Sequence, residues 1–306
     1  MITVESVSKS FNGKKAVDGI SFQASDKEIL VLLGTSGCGK TTMLKMINRL
    51  IEVDSGNILI DGNNIQSQKA EEVRMGIGFV MQHSGLFPHY NIQQNIAVIP
   101  DLLKWDKKKT ADRTLELLHK LHLSEDLLSR FPSELSGGQQ QRVGIARALI
   151  ADSPVLLMDE PFGALDTITK ADIHAEFKSL EELKNKTIIL VTHDVQEAFD
   201  LGHKICLMDN GKIVQTGTPK EMLYQPKNDF VKNFFAQNKL LLEYKIARLK
   251  DVASLIDSNR FYGDLQFSEN TGVWDALQQL SAENSLSEDY ENLVKAFNEY
   301  RKFQTV

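Results

Sequence analysis

The sequence predicts an α/β fold: a mainly parallel β-sheet core, an N-terminal antiparallel β subdomain, a helical insertion and a small, mostly helical C-terminal extension. Three observations support this prediction. Short apolar runs alternate with helical stretches, a glycine-rich turn separates one such run from a helix, and the middle of the chain has leucines at helical spacing without a good strand. The 306 residues suffice for one large or two modest domains.

The first elements are short strands, and Asn12-Gly13 and Asp61-Gly62 provide turns between or after them. The strands are expected at Thr3-Val4, Val7, residues 20–22 and residues 57–61. Compact apolar runs typical of buried parallel strands follow at residues 28–33, 77–81, 154–159 and 187–192. Helices are expected at residues 40–50 and 167–183, a strand-turn-strand at 202–217, and a further helix from Thr218-Pro219 onward.

The middle of the chain, about residues 83–150, is predicted to be the helical insertion. Its leucines recur among charged residues at helical spacing, as at Leu115, Leu118 and Leu121. Motifs with recognisable chemistry stop near residue 237. We therefore expect residues 1–236 to form one domain and residues 237–306 an extension, for which structural packing and regulation are both open roles.

Composition excludes several classes of protein. With 35 Lys+Arg against 41 Asp+Glu, the net charge of -6 argues against a nucleic-acid partner, since such proteins cluster basic charge. Two cysteines build no disulfide framework and suit a reducing compartment. The N-terminus lacks the apolar segment of a signal peptide, and no apolar run approaches the ~20 residues that span a bilayer. The chain is therefore expected in the cytosol, reaching a membrane only through a partner.

A phosphate-binding loop is predicted between the strand at residues 28–33 and the following helix. The sequence GTSGCGKT matches the pattern GxxxxGK[ST], in which backbone amides and a helix N-terminus surround an anion. Lys40 is expected to reach the β- and γ-phosphates, and the Thr41 hydroxyl to bind Mg²⁺. The expected nucleotide-binding residues are Gly34, Thr35, Ser36, Gly37, Cys38, Gly39, Lys40, Thr41 and Thr42.

Cys38 has two interpretations. It is either a small space-filling residue or a thiol whose pKa is lowered by the anion-binding loop, which would make it reactive toward alkylating agents.

Two carboxylates follow the apolar strand at residues 154–159. A strand buried on both faces accepts acidic residues at its end, where an ion or water meets them. Asp159 is therefore the candidate Mg²⁺ residue, and Glu160 is the candidate general base for the attacking water. A second helix start lies at Leu135-Ser136-Gly137-Gly138-Gln139, where Ser136 can cap the helix and two glycines leave amides open to phosphate.

Together with the phosphate-binding loop and residues 158–160, the sequence LSGGQ at residues 135–139 resembles the ABC-type ATPase family. Other elements follow in the family's order. Gln82 resembles the Q-loop glutamine, which implies contact with nucleotide and metal, Asp166 the D-loop aspartate, and His193 the switch histidine. Phe11 stands where the family usually has a tyrosine that stacks on adenine, and its aromatic face can still stack.

The resemblance implies a P-loop NTPase core and a mechanism. Two such domains pack head to tail, with ATP between the phosphate-binding loop of one and the LSGGQ helix of the other, so that Ser136 and Gly138 of the partner meet the γ-phosphate. Glu160 orients water, while Lys40 and Mg²⁺ offset charge and His193 contacts the γ-phosphate. One full motif set per chain favours a homodimer with two competent sites.

The amino-acid sequence of several segments resembles that of importer ATPases for quaternary-amine osmoprotectants such as glycine betaine, choline and carnitine. The resemblance rests on residues 34–49, 85–88, 95–105 and 162–167. It implies a permease partner, indirectly a substrate-binding protein, and a place at the cytoplasmic face of the inner membrane. Leu86, Phe87 and Tyr90 are expected either to dock the permease or to be buried locally. Another ABC importer, an exporter and a non-transport ABC ATPase stay open as alternatives.

Overall fold

The computed structural model describes residues 1–82, 84–163, 174, 177–257, 259–282 and 287–304. Contacts divide the chain into two compact units. The first comprises residues 1–197 and 201–216, and the second comprises residues 198–200 and 217–306. The predicted division after residue 236 stays a prediction.

The first unit contains an antiparallel sheet in the order β2-β1-β4-β5. Its strands are β1 (Ile2–Phe11), β2 (Lys14–Ala24), β4 (Ser55–Ile60) and β5 (Asn63–Asn64). The strands predicted at Thr3-Val4 and Val7 form one longer strand, β1. Its regular alternation is interrupted because Ser6, which lies between the paired residues Val4 and Val7 where the register shifts, has a left-handed backbone (φ 48°). The turn at Asn12-Gly13 is confirmed, since both residues have positive φ (49° and 77°).

The second sheet of this unit is mainly parallel, with the order β10-β9-β3-β8-β7-β6. Its strands are β3 (Ile29–Gly34), β6 (Ile77–Val80), β7 (Val155–Asp159), β8 (Thr187–Thr192), β9 (Lys204–Asp209) and β10 (Lys212–Gly217). Every residue of β7 and β8 is buried, as expected for parallel strands covered on both faces. In register, Leu33 faces Thr192 and Asp159 faces Val191, so the carboxyl ends of β3, β7 and β8 lie side by side.

Helices connect the strands of these sheets along the chain. They are α1 (Lys40–Ile47), α2 (Ala70–Met75), α3 (Ile92–Leu102), α4 (Lys107–Lys120), α5 (Gly137–Leu149) and α6 (Val195–Leu201). Helices α3, α4 and α5 lie between β6 and β7 in the chain, which confirms the helical insertion. Helix α1 stops at Ile47 rather than at the predicted residue 50, because Arg49 has a left-handed backbone (φ 49°). Of the helix predicted at residues 167–183, residues 167–173 and 175–176 lie outside the described residues. Residues 177–179 are helical as predicted, but the chain leaves the α-helix at Leu180, and a 3₁₀-helix follows at Glu181–Asn185.

The second unit is mostly helical. Its helices are α7 (Pro219–Tyr224), α8 (Asp229–Ala236), α9 (Lys239–Ile246), α10 (Val273–Ala282) and α11 (Ser287–Gln304), with a π-helical segment at Asn259–Asp264. Thr218 caps α7 in a capping box with Glu221, as the sequence indicates. A separate apolar core includes Leu249, Phe261 and Phe297. No helix among the described residues of either unit has the length and apolar character needed to cross a bilayer.

Candidate nucleotide site

The loop between β3 and α1 has a shape that requires glycine at two points. Gly34 and Gly39 have φ values of 155° and 106°, and a Cβ at either position would lie only 2.2 Å from Met208 O or 2.3 Å from Ala16 O, respectively. Both glycines therefore let the loop run directly against neighbouring backbone. Between them, Thr35, Ser36 and Gly37 are exposed, so the tip of the loop is open to a ligand.

The N-terminus of α1 has no side chain that caps it. The capping position is Gly39, which has no side chain to accept a hydrogen bond from the first amides of the helix. Lys40 is buried, with 5% of its surface exposed, and its ammonium donates to Gly34 O (2.7 Å) and Thr35 O (2.9 Å). Uncapped amides and a nearby ammonium are the features of an anion site at a helix start. Thr41 and Thr42 occupy the next, half-buried positions.

Cys38 is buried in the loop, and only 3% of it is exposed. Burial raises the pKa of its thiol above the ordinary value, although the charge of Lys40 and the hydrogen bonds to it act in the opposite direction. The hypothesis of a thiol with a lowered pKa is therefore wrong. It failed because the sequence shows the anion-binding loop but not the packing that removes Cys38 from water. The structure supports the space-filling interpretation.

Thr41 and Asp159 meet at the sheet edge. The Thr41 hydroxyl donates to Asp159 Oδ1 at 2.9 Å, and Asp159 is buried with 5% exposed. Burial raises the pKa of Asp159, and the neighbouring charge of Glu160 adds to the effect. A buried carboxylate beside a hydroxyl fits Mg²⁺, which prefers oxygen ligands and whose charge would favour the ionised carboxylate. Among the described residues no three His, Cys, Asp or Glu side chains cluster in a way that could hold a metal ion.

Glu160 contacts two other predicted site residues, Gln82 and His193. Its backbone is left-handed (φ 45°), and its amide donates to Val191 O at 2.8 Å, which turns the residue out of β7 at the sheet edge. Gln82 Nε2 donates to Glu160 Oε2 at 2.9 Å. His193 Nδ1 lies 3.0 Å from Glu160 Oε1. The two neighbours thus engage one carboxylate oxygen each, a pairing that the sequence alone did not indicate.

The second glycine-rich helix start, that of α5, is capped by side chains of its own first turn. Ser136 Oγ accepts from Gln139 N (3.3 Å), and Gln139 Oε1 accepts from Ser136 N (2.9 Å), which completes a capping box for α5. Gly137 and Gly138 form the first turn, and a Cβ at Gly137 would meet open space. The predicted capping role of Ser136 is confirmed.

Of the two remaining predicted residues, Phe11 and Asp166, the structure describes only Phe11. Phe11 is 45% exposed at the end of β1, and Lys9 Nζ lies 5.6 Å from its ring centre. The β1–β2 hairpin comes close to the phosphate-binding loop, because Ala16 in β2 is the residue whose carbonyl abuts Gly39. Asp166 lies outside the described residues.

Sequence reasoning missed the residue that shapes the loop after Gln82. Asn95 in α3 is fully buried (0% exposed); its Oδ1 accepts from Phe87 N at 2.7 Å. Its Nδ2 lies within hydrogen-bonding distance of three carbonyl oxygens, those of Phe87 (3.1 Å), Tyr90 (3.0 Å) and Asn91 (3.1 Å). The available signal was an asparagine on the apolar face of a helix, beside Ile92 and Ile96.

The loop that Asn95 holds presents aromatic side chains to solvent. Phe87 is 41% exposed and Tyr90 38%, whereas Leu86 is half-buried. Next to Phe87 is an open groove of about 290 Å³. Its lining is largely apolar and includes Met75, Phe79, Met81, Val98 and Ile99.

Comparison with known proteins identifies the family. Residues 17–163 match the sequence pattern of the family described as ABC transporter. The glycine betaine uptake system ATP-binding protein YehX of Escherichia coli (strain K12) is 45% identical over 277 residues, which cover 90% of this chain and 89% of YehX. This chain belongs to the ABC transporter family.

Other members of the family show the same relationship. The glycine betaine/carnitine/choline transport ATP-binding protein OpuCA of Bacillus subtilis (strain 168) is 51% identical over 242 residues, covering 79% of this chain. The match spans 64% of OpuCA, less than two thirds of its length. Among solved structures, the chain is similar to the dimeric, post-hydrolysis structure of the ATP-binding cassette MJ0796 bound to ADP and Pi, with a TM-score of 0.66 and 31% identity. That similarity covers 71% of this chain and 98% of the cassette.

Proposed function

We propose that this chain hydrolyses ATP between two of its copies and thereby powers a membrane importer for glycine betaine or a related quaternary amine. The observation that supports hydrolysis best is the position of Glu160. Its carboxylate lies at the sheet edge between Gln82 and His193, one residue after the Asp159 that holds Thr41.

In this proposal Lys40 binds the β- and γ-phosphates of ATP, and the amides of the loop from Gly34 to Gly39 surround them. Glu160 takes a proton from the attacking water. The water oxygen then bonds to the γ-phosphorus, and the bond from that phosphorus to the oxygen shared with the β-phosphate breaks. The products are ADP and inorganic phosphate. Gln82 and His193 keep the Glu160 carboxylate in place, and His193 contacts the γ-phosphate.

Mg²⁺ would be held by Thr41, Asp159 and the amide oxygen of Gln82, and it would offset negative charge on the phosphates. The amide oxygen of Gln82 is suited to this role because its Nε2 is the atom that faces Glu160. Phe11 offers an exposed ring for stacking on adenine.

The second copy completes the site in this proposal. Ser136, Gly137, Gly138 and Gln139 of one chain face the γ-phosphate held by the other. The dimeric cassette bound to ADP and Pi supports two-copy assembly. ATP favours the closed pair because it touches both chains, and hydrolysis removes that contact.

The exposed groove beside Phe87 supports a permease partner. An apolar groove with exposed aromatic side chains is typical of an interaction surface. A permease bound there would place this chain at the cytoplasmic face of the membrane, with a substrate-binding protein delivering solute from the other side. The quaternary-amine substrate rests on OpuCA and YehX, which are named for glycine betaine transport or uptake.

The test is ATP turnover of this chain with its permease in lipid, with and without a substrate-binding protein loaded with glycine betaine. We expect stimulation by the loaded protein, and none when Glu160→Gln replaces the unsubstituted chain. Stimulation by a different loaded solute would overturn the quaternary-amine assignment and keep the importer. Full turnover that ignores every permease would overturn the transport role.

A further inference from the structure

Three two-residue turns of the first unit have the same backbone conformation. They are Asn12-Gly13, Asp61-Gly62 and Asn210-Gly211, and in each the two φ values are 45–49° and 76–78°. The glycines of the first two turns are exposed, and an added Cβ would meet nothing within 4 Å. Gly211 is buried, and its Cβ would lie 3.0 Å from Ala16 O. The third turn therefore differs from the other two in what it touches and not in its conformation.

Gly211 bridges the phosphate-binding loop and β2. Its amide donates to Cys38 O at 3.1 Å, and its carbonyl accepts from Asp18 N at 2.8 Å. Cys38 belongs to the loop and Asp18 to β2, so the two peptide groups that flank one glycine fix the distance between these elements. Both hydrogen bonds are made by backbone, which has no rotamers with which to compensate a displacement.

Strand β2 is irregular at the point where it meets Gly211. Two consecutive residues of β1 face Val17 and Lys15, so Ala16 is an extra residue in β2. Such a bulge leaves the extra residue unpaired in the ladder and redirects its backbone. The carbonyl of Ala16 lies against Gly39, at the end of the phosphate-binding loop, as well as against Gly211.

The same stretch of β2 carries the partner of Phe11. Lys14, two residues before Ala16, pairs with Phe11 in the β1–β2 ladder. Phe11 is the ring proposed to stack on adenine, and the phosphates lie in the loop. The distance from the loop to this stretch of β2 therefore decides whether one nucleotide can make both contacts.

We propose that Gly211 is a positioning residue that sets the spacing between the phosphate-binding loop and Phe11, and thereby makes the site prefer a nucleotide to a bare polyphosphate. This inference rests on the proposed function and deepens it. A nucleotide gains from both contacts only when they are held at the right distance, whereas a bare polyphosphate uses the loop alone.

The test is equilibrium binding of ADP and of pyrophosphate, each with Mg²⁺, to the full chain by isothermal titration calorimetry. Neither ligand carries the γ-phosphate, so hydrolysis and ATP-dependent pairing do not enter the comparison. Gly211→Ala should lower the preference for ADP over pyrophosphate about tenfold, because the new Cβ displaces β2 and weakens stacking at Phe11. The affinity for pyrophosphate should stay within about twofold, because the loop amides still surround it.

Gly62→Ala is the matched control, since it introduces the same backbone strain in a turn where the Cβ meets open space. It should keep the preference for ADP. Asn210→Gly is a milder variant that adds no atom and only loosens the turn, so it should lower the preference about twofold. A measurement of Tm shows that each variant is folded. If Gly211→Ala does not fold, Asn210→Gly decides, and an unchanged preference there would overturn the inference.

A Phe11→Ala variant shows whether Gly211 acts through the ring. Adding Gly211→Ala to Phe11→Ala should lower the preference for ADP no further, since both changes remove one contact. The inference is overturned if Gly211→Ala keeps the preference, if Gly62→Ala loses as much of it, or if the two losses multiply in the double variant. Equal affinity of the unsubstituted chain for ADP and pyrophosphate would instead defeat adenine stacking in the proposed function, before any variant is compared.

Discussion

The two glycine-rich helix starts differ in how their first amides are satisfied. At α1, Gly39 provides no side chain, and the nearby charge is the ammonium of Lys40, held by loop carbonyls. At α5, Ser136 and Gln139 satisfy each other's amides within the same chain. The amides at a helix start without a side-chain cap are open to an anion. At the capped start of α5, the Ser136 hydroxyl and the Gln139 amide are already hydrogen-bonded to each other, while Gly137 and Gly138 add no side chain that would block an anion. The two starts thus share a glycine-rich sequence but differ in local hydrogen bonding, and in the proposed site α1 holds the phosphates of its own ATP while α5 faces the ATP of the second copy.

The largest expected effect tests whether the two starts meet around one ATP. Glu160→Gln should lower ATP turnover about a thousandfold, because it removes the proton acceptor. ATP binding should persist, since glutamine has nearly the same shape. With hydrolysis blocked, the paired state should accumulate on adding ATP, measured by size-exclusion chromatography with light scattering. Normal turnover would contradict the assignment of Glu160 as base, and a single-copy species with ATP bound would contradict the joint site.

Much of this arrangement could be predicted from the sequence, because it depends on residues that are close in the chain. The buried strands ending at Gly34 and Asp159 follow from apolar runs, and the cap at Ser136 follows from a local pattern. Contacts between distant side chains could not be predicted. The Glu160–His193 pair depends on the register of β7 and β8, and the hydrogen bond from Gly211 to Cys38 depends on the register of β3 and β9.

The second prediction concerns the uncapped start. Lys40→Met should weaken ATP binding about a hundredfold, because the ammonium provides charge-assisted hydrogen bonds in a buried place. Equilibrium binding of a fluorescent ATP analogue measures the loss. Lys69→Met, at an exposed lysine (80% of its side chain), is the matched control and should bind normally. An unchanged affinity in Lys40→Met would remove the distinction between the two starts.

The third prediction concerns the capped start and uses two substitutions at one position. Ser136→Ala removes the cap and should cost about 1 kcal/mol of unfolding free energy, lowering Tm by about 2 °C. Ser136→Asp retains a good cap and should keep Tm near normal, yet its charge should repel phosphate and prevent ATP-dependent pairing. Both variants should bind ATP as single copies with unchanged affinity. A weakened single-copy affinity would show that α5 acts within its own chain.

The smallest expected effect concerns the thiol of Cys38, which lies in the loop just before α1. Because burial raises the pKa of Cys38, its reactive thiolate is scarcer at neutral pH than that of an exposed cysteine. Alkylation by iodoacetamide should be slow at pH 7.5 and should still rise with pH where the rate of an exposed thiol, with its pKa of about 8.5, has levelled off. A Cys206→Ala background isolates the signal, although burial already raises the pKa of Cys206 to about 11. A plateau below pH 8.5 would indicate that the loop stabilises the thiolate after all.

The hydrogen bonds of Asn95 have a consequence for the binding of a partner at the loop that carries Phe87 and Tyr90. Its amide engages the backbone of Phe87, Tyr90 and Asn91 at once, so the aromatic loop is held in one conformation by a residue that solvent does not reach. A flexible loop loses conformational entropy when a partner immobilises it, and that loss weakens binding. In this chain the loop loses most of that conformational entropy during folding, because Asn95 already fixes it in the free protein. A partner that packs against Phe87 therefore meets a receptor of fixed shape, and its affinity depends on how well its own surface matches that shape.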